Sequence, residues 1–281
     1  MCNENNTLIY SSPDYNINAI LDDVNKRIWV LDYYFNDSLS FGKFLHRKAK
    51  ETHAQKIIIP AKLKDLEALE ELGYKPEGTV DGFFNGEAAC FMAAYPEPSR
   101  YISTDLPAKM ESLKQVLSMP AKGPGELPPG YSMRLAIPGD ARALADLFKQ
   151  VFVTYPTPLD QSEYVLKSIQ SGAPFILAIH NDTIVSCASA EIDCNNKNAE
   201  MTNCATADEH QGLGLMSILL HSLEQHVAKM GYKCLYSLSR SSEFGINLIL
   251  HRLNYQYRGI LINNCHICGN WEDMHLWIKN K

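Results

Sequence analysis

Residues 203–216, Asn-Cys-Ala-Thr-Ala-Asp-Glu-His-Gln-Gly-Leu-Gly-Leu-Met, decide the fold of this 281-residue chain. They are typical of the end of a strand, a short polar turn with two glycines, and the start of a helix. Apolar residues then recur at helical spacing to Glu224. Gly212 and Gly214 lie at the turn, where the backbone must approach something closely. The free N–H groups and positive dipole end of such a helix favour a phosphate or pyrophosphate.

The spacing of the two glycines excludes two common phosphate-binding motifs. It does not match G-x-G-x-x-G, and no Gly-Lys-Ser/Thr follows as in a P-loop. Residues 211–215 instead resemble the acetyl-CoA signature Q/R-x-x-G-x-G/A of the GCN5-related N-acetyltransferases, and Met216 departs from the small residue usual at its last position. This resemblance implies acetyl-CoA as co-substrate. The cofactor-binding residues that we assign on this basis are Cys204, Ala205, Thr206, Gln211, Gly212, Leu213, Gly214, Leu215 and Asn247.

Composition and charge limit the classes of function. Hydrophobic residues make up 46% of the chain, which is enough for a packed core. The net charge of −6 argues against a nucleic-acid partner and slightly favours a cationic substrate. Residues 1–7 have neither the basic nor the apolar segment of a signal peptide, and no apolar run approaches the roughly 18 residues of a membrane span. We therefore expect a cytoplasmic protein that binds no membrane.

The eight cysteines give no metal-binding pattern. Only Cys265 and Cys268 are closely spaced, and a single C-x-x-C without a second pair of ligands is poor evidence for zinc. We expect free thiols in a reducing compartment and no metal.

A segment rich in proline and glycine divides the chain, which is long enough for two domains. We predict an α/β domain over residues 1–95, a linker with one helix over 96–127, and the acetyltransferase domain over 128–281. The predicted element order of the last part is β-α-α-β-β-β-α-β-α-β-β. The resemblance implies the acetyltransferase fold for it, an α/β fold with a mixed, mostly antiparallel sheet flanked by helices.

The N-terminal domain resembles the second half of the same fold. Leu72-Gly73-Tyr74 and Glu77-Gly78 correspond to Leu253-Asn254-Tyr255 and Arg258-Gly259, and each set follows a strand, a helix, a strand and a helix. A chance similarity is the alternative. The first copy starts with the strand at residues 27–35, and we expect Pro60 to end its second strand. Its strand-to-helix turn has Asp37 and no glycine pair, so we expect no cofactor there.

Further stretches narrow the resemblance to the β-lysine N6-acetyltransferases, which make the osmolyte N6-acetyl-β-lysine. The similarity extends over both domains. The stretches are Thr154–Asp160, Ser189–Asp193, Ala199–Thr202, Asn263–Cys265 and Glu272–Met274.

Acetyl transfer to an amine needs a base, because an alkylammonium with a pKa of about 10.4 is not a nucleophile. Alternation along a strand puts Glu200, Thr202, Cys204 and Thr206 on one face. The resemblance implies that this strand runs beside the acetyl group, so we predict Glu200 as the base, with Glu191 and Asp193 as rivals.

Other roles follow from the chemistry of the substrate. We assign Tyr155, Asp193, Arg258 and Glu272 to substrate binding. Backbone N–H groups near Cys204–Thr206 should hold the thioester oxygen. Relatives often place a tyrosine acid in the last helix, where this chain has Leu250. A cysteine nucleophile at Cys204 is the weaker alternative, since no histidine is placed to pair with it.

Two rival functions remain open at this point. One is acetylation of another amine, such as a polyamine or a protein lysine. The other is a CoA-binding sensor module without catalysis, which Met216 and Leu250 would allow. A homo-oligomer is compatible with the sequence.

Overall fold

The computed structural model of the chain describes residues 7–280. The N-terminal unit comprises β1 (Thr7–Ser11), β2 (Tyr15–Asp22), β3 (Arg27–Phe35), α1 (Ser38–Glu51), β4 (Lys56–Lys62), α2 (Leu66–Glu71), β5 (Lys75–Phe84) and β6 (Glu87–Ala94). A connecting helix, α3 (Leu106–Ser118), follows. The C-terminal unit comprises β7 (Tyr131–Leu135), α4 (Ala141–Val151), α5 (Ser162–Gln170), β8 (Phe175–His180), β9 (Thr183–Asp193), β10 (Asn198–Thr206), α6 (Leu215–Lys229), β11 (Cys234–Arg240), α7 (Phe244–Arg252), β12 (Gln256–Ile267) and β13 (Asn270–Asn280).

One sheet of thirteen strands runs through both units in the order β1-β2-β3-β4-β6-β5-β12-β13-β11-β10-β9-β8-β7. Only β3–β4 and β10–β11 pair in parallel within the described chain. The C-terminal unit has the element order predicted from the sequence, and the prediction of a mixed, mostly antiparallel sheet flanked by helices is confirmed.

The parallel pair β10–β11 is short and then opens. Only residues 198–200 pair with residues 234–236, and the strands part beyond Glu200 and Tyr236. Ser237 Oγ donates to Met201 O across the start of this opening, at 2.7 Å. Because the next backbone groups on this side of β10 have no strand partner, they are available to a ligand.

The N-terminal unit repeats the second half of the C-terminal one. The series β3-α1-β4-α2-β5-β6 has the same element order as β10-α6-β11-α7-β12-β13, and β5 and β12 are neighbours at the centre of the sheet. Sequence analysis missed β1 and β2, although Tyr15, Ile17 and Ala19 alternate toward the core as a half-buried strand requires.

Proline does not end the second strand of the N-terminal unit, contrary to the sequence-based expectation. Strand β4 continues to Lys62, and Pro60 lies opposite Phe91 of β6. The hydrogen-bonded ladder between β4 and β3 ends at Ile58 and Trp29. Proline is tolerated at position 60 because a backbone N–H there would have no strand partner on that side.

Helix α3 anchors the proline-rich connection to the C-terminal unit. Its Leu113 and Val116 are buried in the same hydrophobic cluster as α6 and α7. Lys109 Nζ also lies 2.9 Å from Asp273 Oδ2 on β13, whose side chain is buried.

Two glycines form the seam between the units. Gly78 of β5 lies opposite Gly259 of β12, and the register of each strand with its hairpin partner shifts just before its glycine. A Cβ at Gly259 would lie 2.1 Å from Glu77 O and 2.5 Å from Gly78 Cα. The backbones of the two units therefore meet more closely than any side chain allows.

An aromatic chain packs the two units together on the sheet face opposite α1 and α6. The rings of Trp29 and Phe91 are 5.9 Å apart, and that of Phe91 is 6.2 Å from Tyr236 of β11. Residues of the N-terminal unit therefore lie beside the opening between β10 and β11.

The seam gives the first testable prediction. Gly259→Ala should destabilise the protein by more than about 3 kcal/mol, because backbone atoms cannot yield as a flexible side chain does. Gly245→Ala is the control, since a Cβ there meets no heavy atom within 4 Å. Denaturant unfolding measures both, and equal stability of the two variants would contradict the close approach.

Candidate active site

The N-terminus of α6 is open to an anion. Gly214 is its N-cap residue, has a φ of 78°, and provides no capping side chain. Gly212 is also left-handed, with a φ of 75°. Gln211 Nε2 donates to Asp208 Oδ1 at 2.8 Å, which folds the preceding turn on itself. The first N–H groups of a helix with such a start have no internal acceptor and suit a phosphate group.

The equivalent helix of the N-terminal unit is closed. Asp37 caps α1, and its Oδ1 accepts hydrogen bonds from the backbone N–H groups of Leu39 and Ser40 at 3.0 and 3.1 Å. These hydrogen bonds also lower the pKa of Asp37, together with the bond from the Ser40 hydroxyl. A negative side chain thus occupies the place that a phosphate would need.

A bulge in β10 changes which residues share a face. The register with β9 shifts between Thr202 and Ala205, and Asn203 has a φ of 52°. Cys204 packs toward α6, whereas Ala205 packs toward α4 and α5. The expectation that Glu200, Thr202, Cys204 and Thr206 share a face is therefore wrong. Glu200 and Thr202 lie on the face opposite α6.

Two carboxyl groups lie side by side where the strands part. Glu200 of β10 is directly opposite Glu191 of β9, so their Cβ atoms are nearest neighbours on one face. Tyr236 of β11 is the partner of Glu200 on its other side and shares a side-chain hydrogen bond with it. The three residues form one row across three strands.

This row has strongly perturbed acidities. Desolvation raises the pKa of Glu200 to about 8, and the neighbouring charge of Glu191 adds to the rise. Desolvation also raises the pKa of Glu191, because protein atoms surround its carboxyl group. The residue as a whole nevertheless remains exposed to solvent. Because the two carboxyl groups lie side by side, ionisation of one disfavours ionisation of the other. A carboxyl group with a pKa near the working pH suits a general base.

The wall opposite the pair comes from loops and the β12–β13 hairpin. Tyr155, in the connection between α4 and α5, hydrogen-bonds Thr202, and its pKa is raised mainly by desolvation. Cys265 of β12 lies close enough to affect the pKa of Tyr155. Cys268 N donates to Thr154 O at 3.2 Å, which fastens the hairpin to this connection. The structure thus brings together the predicted site residues Glu200, Glu191 and Tyr155.

Two predicted substrate-binding residues have other tasks. Asp193 holds the turn between β9 and β10, because its oxygens accept from Asn196 N at 3.0 Å and Asn196 Nδ2 at 2.7 Å. Arg258 lies at the seam, 2.6 Å from Asp81 Oδ2, and is more than a third exposed. Among residues 7–280, no hydrogen bond or ion pair joins either side chain to the carboxyl pair.

Asn247, which the sequence predicted to bind the cofactor, is engaged within the protein. The residue is 2% exposed. Its Oδ1 accepts from Ser239 Oγ, His275 Nδ1 and Trp277 Nε1 at 2.8, 3.1 and 2.9 Å, and its Nδ2 donates to two backbone oxygens. No group of the side chain is left for a cofactor, so Asn247 positions α7 on the sheet.

Glu272 is also engaged within the protein. Its carboxylate lies 2.8 Å from Arg240 Nη2 and accepts from Ser242 Oγ at 3.1 Å. It lines a separate cavity of about 460 Å³ with Arg100 and Trp271. Glu272 thus borders that cavity, and its carboxylate is already bound to two side chains of the protein.

Two further residues limit the chemistry. Burial raises the pKa of Cys204 to about 12, so its thiol is protonated at neutral pH and unsuited to nucleophilic attack. Leu250 is fully buried, and α7 thus offers no acid at that position.

Neither a metal-ligand cluster nor a membrane-spanning helix is found within residues 7–280. No group of three or more His, Cys, Asp or Glu side chains there could hold a metal ion. No helix in the same range is long and apolar enough to cross a bilayer.

Sequence analysis missed two residues of the site. Asn203 adopts the left-handed conformation that asparagine tolerates better than most residues, and this was the available signal for a bulge. Tyr236 had no local signal, because its role depends on pairing with a strand more than thirty residues away in the chain.

Comparison with known proteins gives a consistent family assignment. A family model described as the acetyltransferase (GNAT) family matches residues 141–248. The N-acetyltransferase YodP of Bacillus subtilis is 34% identical over 265 residues, which cover 94% of this chain and 96% of the relative.

Two archaeal relatives are similar over both units. The β-lysine N6-acetyltransferase of Methanococcus maripaludis is 31% identical to this chain, and the match covers 92% of this chain and 94% of the relative. The β-lysine N6-acetyltransferase of Methanosarcina mazei is 33% identical to this chain, and the match covers 80% of this chain and 90% of the relative.

The carboxyl pair gives the second prediction. Glu191→Gln should lower the pKa of Glu200 below about 8, because it removes the neighbouring charge, and leave it above 4.5, because desolvation remains. A carbon-13 NMR titration of the glutamate carboxyl groups measures this shift, with Glu200→Gln identifying the signal. An unchanged midpoint in Glu191→Gln would show that the two groups do not interact.

Proposed function

The chain belongs to the GNAT family and is an N-acetyltransferase, and on that premise we propose that it transfers the acetyl group of acetyl-CoA to N6 of β-lysine. The paired carboxyl groups Glu191 and Glu200, at the opening between β10 and β11, carry this proposal. The two archaeal relatives named for this reaction support the choice of substrate.

The open helix start fits the cofactor. A pyrophosphate at the N-terminus of α6 would receive N–H groups and the positive end of the helix dipole, and the left-handed Gly214 keeps side-chain atoms out of its way. Acetyl-CoA supplies an activated acetyl thioester. In the same proposal Gln211, Gly212, Leu213 and Leu215 form the turn around the pyrophosphate, and residues 204–206 line its approach.

The carboxyl pair can bind the acceptor and remove its proton. An alkylammonium beside Glu191 and Glu200 favours ionisation of both groups, since an opposite charge lowers a carboxyl pKa. Glu200 then accepts a proton from the ammonium, directly or through water, and the free amine becomes a nucleophile. The hydrogen bond from Tyr236 holds Glu200 in place.

The bulge offers donors for the developing oxyanion. The backbone near Asn203 leaves the regular ladder with β9, and beyond Glu200 it has no ladder with β11. Free N–H groups fixed in this segment can stabilise negative charge on the carbonyl oxygen. The leaving group is the thiolate of CoA. Because a thiol has an ordinary pKa of about 8.5, this thiolate can leave without a dedicated acid.

Acetylation of another amine is the second candidate. The Bacillus subtilis relative is named only as an N-acetyltransferase, and a carboxyl pair accepts any ammonium group that can reach it. Turnover with β-lysine, a polyamine and a lysine peptide separates these choices, and binding of acetyl-CoA without turnover of any amine would favour a sensor.

Glu200→Gln tests the base. The turnover number should fall roughly 10²- to 10⁴-fold at neutral pH, the usual worth of a positioned general base. In the wild type, kcat/KM should rise with pH and level off above about 8, because the base must be ionised. The deficit of the variant should shrink as the pH approaches the pKa of the amine.

Two controls accompany this measurement. Glu87→Gln removes an exposed carboxyl group on β6 and should leave turnover unchanged. The melting temperature of Glu200→Gln identifies a purely structural role. Near-normal turnover of that variant at neutral pH would exclude Glu200 as the base and make Glu191 the next residue to change.

Gly214→Val tests the pyrophosphate site. A branched side chain at a φ of 78° disturbs the turn and blocks the helix start, so acetyl-CoA binding should be lost. Gly172→Val is the matched control, because Gly172 has a φ of 91° and also faces open space. Calorimetry should give one acetyl-CoA per wild-type chain and per Gly172→Val chain. A second site, or undiminished binding by Gly214→Val, would contradict the assignment.

A further inference from the structure

One cavity of about 460 Å³ lies where the N-terminal unit, the segment that follows it and the hairpin of β12 and β13 meet. Its floor includes the buried residues Arg100, Asn263 and Glu272, which are 2, 6 and 7% exposed. Its rim consists of exposed residues such as Thr104 and Ser242. A cavity of this size and form admits a small organic molecule from solvent and brings it against buried polar groups.

Arg100 is fixed in the floor of this cavity by contacts to both units. Its Nε donates to Asn263 O at 2.7 Å. Its Nη1 donates to Gln55 Oε1 and its Nη2 to Asn25 O, each at 2.9 Å. The guanidinium carbon lies 3.2 Å from the centre of the Trp271 ring. A guanidinium has five N–H groups and three of them have acceptors here, so two have none among residues 7–280.

Arg100 also lacks a counter-ion. Its three acceptors are neutral oxygens, and no carboxylate among residues 7–280 forms an ion pair with it. Of the carboxylates that border the cavity, Glu272 is already bound by an arginine, and Asp105 is exposed at the rim. Lys109, the other cation of the cavity, is paired with Asp273 at 2.9 Å. The buried floor therefore has one positive charge without a negative partner.

The backbone of β12 is irregular at this floor. The register of β12 with β13 shifts between residues 261 and 265, and Asn263 within this stretch has a φ of 44°. Asn263 N donates to Asp273 Oδ1 at 2.7 Å, and its Nδ2 donates to Arg100 O and to Ile102 O at 2.9 Å each. The floor is thus held in position by the protein itself, which lowers the cost of ordering a ligand site.

This arrangement favours an anionic ligand. A buried cation is costly unless it is paired. Desolvation, followed by the charge of Arg27, lowers the pKa of Arg100 to about 10. A carboxylate or phosphate group would stabilise the charged guanidinium, and its oxygens match the spacing of guanidinium N–H groups. The hydroxyl and amide side chains of Thr104 and Asn270 also border the cavity and can bind other polar groups of such a ligand.

We propose that this cavity binds a small organic anion, with a carboxylate or phosphate group of the ligand on Arg100. The ligand would contact the N-terminal unit, the segment after it and the β12–β13 hairpin at once. The proposal does not rest on the proposed function, because neither Glu191 nor Glu200 borders the cavity and binding needs neither acetyl-CoA nor an amine.

Gln55→Glu tests the proposal with little change in shape. The variant places a carboxylate where Gln55 Oε1 accepts from Arg100, so the protein provides its own counter-ion. The probes are inorganic phosphate and succinate, each titrated at constant ionic strength without acetyl-CoA. Binding is followed by tryptophan fluorescence, because the Trp271 ring lies against Arg100, and Trp271→Phe identifies its part of the signal.

The wild type should give a saturable change with at least one probe. The affinity should fall roughly 10- to 100-fold in Gln55→Glu, the worth of a hydrogen bond to a charged group. Gln115→Glu is the matched control, because it makes the same replacement at an exposed position of α3, and it should bind as the wild type does. Tighter binding of succinate would identify the ligand group as a carboxylate, and tighter binding of phosphate would identify it as a phosphate.

Three results would overturn the proposal. The first is the lack of a saturable change with either probe in the wild type. The second is equal affinity in the wild type and Gln55→Glu, which would leave Arg100 a purely structural role. The third is a signal that persists unchanged in Trp271→Phe, which would place the anion elsewhere. Acetyl transfer is measured separately, so its failure would leave this test unaffected.

Discussion

The separation of β10 from β11 is the constraint on which the site depends. Two parallel strands joined by three residue pairs then diverge, and each functional feature lies at a fixed place relative to that point. The carboxyl pair and Tyr236 occupy the last rung before the opening. The bulge at Asn203 follows it, and the uncapped start of α6 lies at the end of the same strand. Backbone geometry thus sets the distance between the carboxyl pair and the open start of α6.

The N-terminal unit has the same strand geometry without an open helix start. Its strands β3 and β4 also pair over three residues and then part, and α1 follows β3 as α6 follows β10. There Asp37 binds the first N–H groups of the helix, and Pro60 removes a backbone donor beyond the last rung. The side chains at the turn decide whether an open helix start or a self-capped one results.

Local sequence predicted the features that depend on neighbours along the chain. The glycine turn, the element order of the C-terminal unit and the acid at the start of α1 all follow from short stretches. The prediction that alternate residues of β10 share one face was wrong, because one bulge reverses the alternation of side chains. The sequence alone did not establish Asn203 as a bulge rather than a regular strand residue. The roles predicted for Arg258, Asp193 and Asn247 came from charge or polarity, which does not reveal structural partners such as Asp81, Asn196 or Trp277.

The buried Lys56–Glu77 pair explains why the two units act as one structure. Lys56 is fully buried and lies 2.8 Å from Glu77, and desolvation lowers the pKa of the lysine. Buried ion pairs of this kind contribute little net stability, because desolvation offsets their attraction. These two groups, however, also bind the N–H and C=O of one residue, Ile262, at the irregular part of β12. Any slip between the units would leave two charges and two backbone groups buried without partners, each costly. The pair therefore fixes the position of β12, and with it the wall of the cleft that faces Glu191 and Glu200.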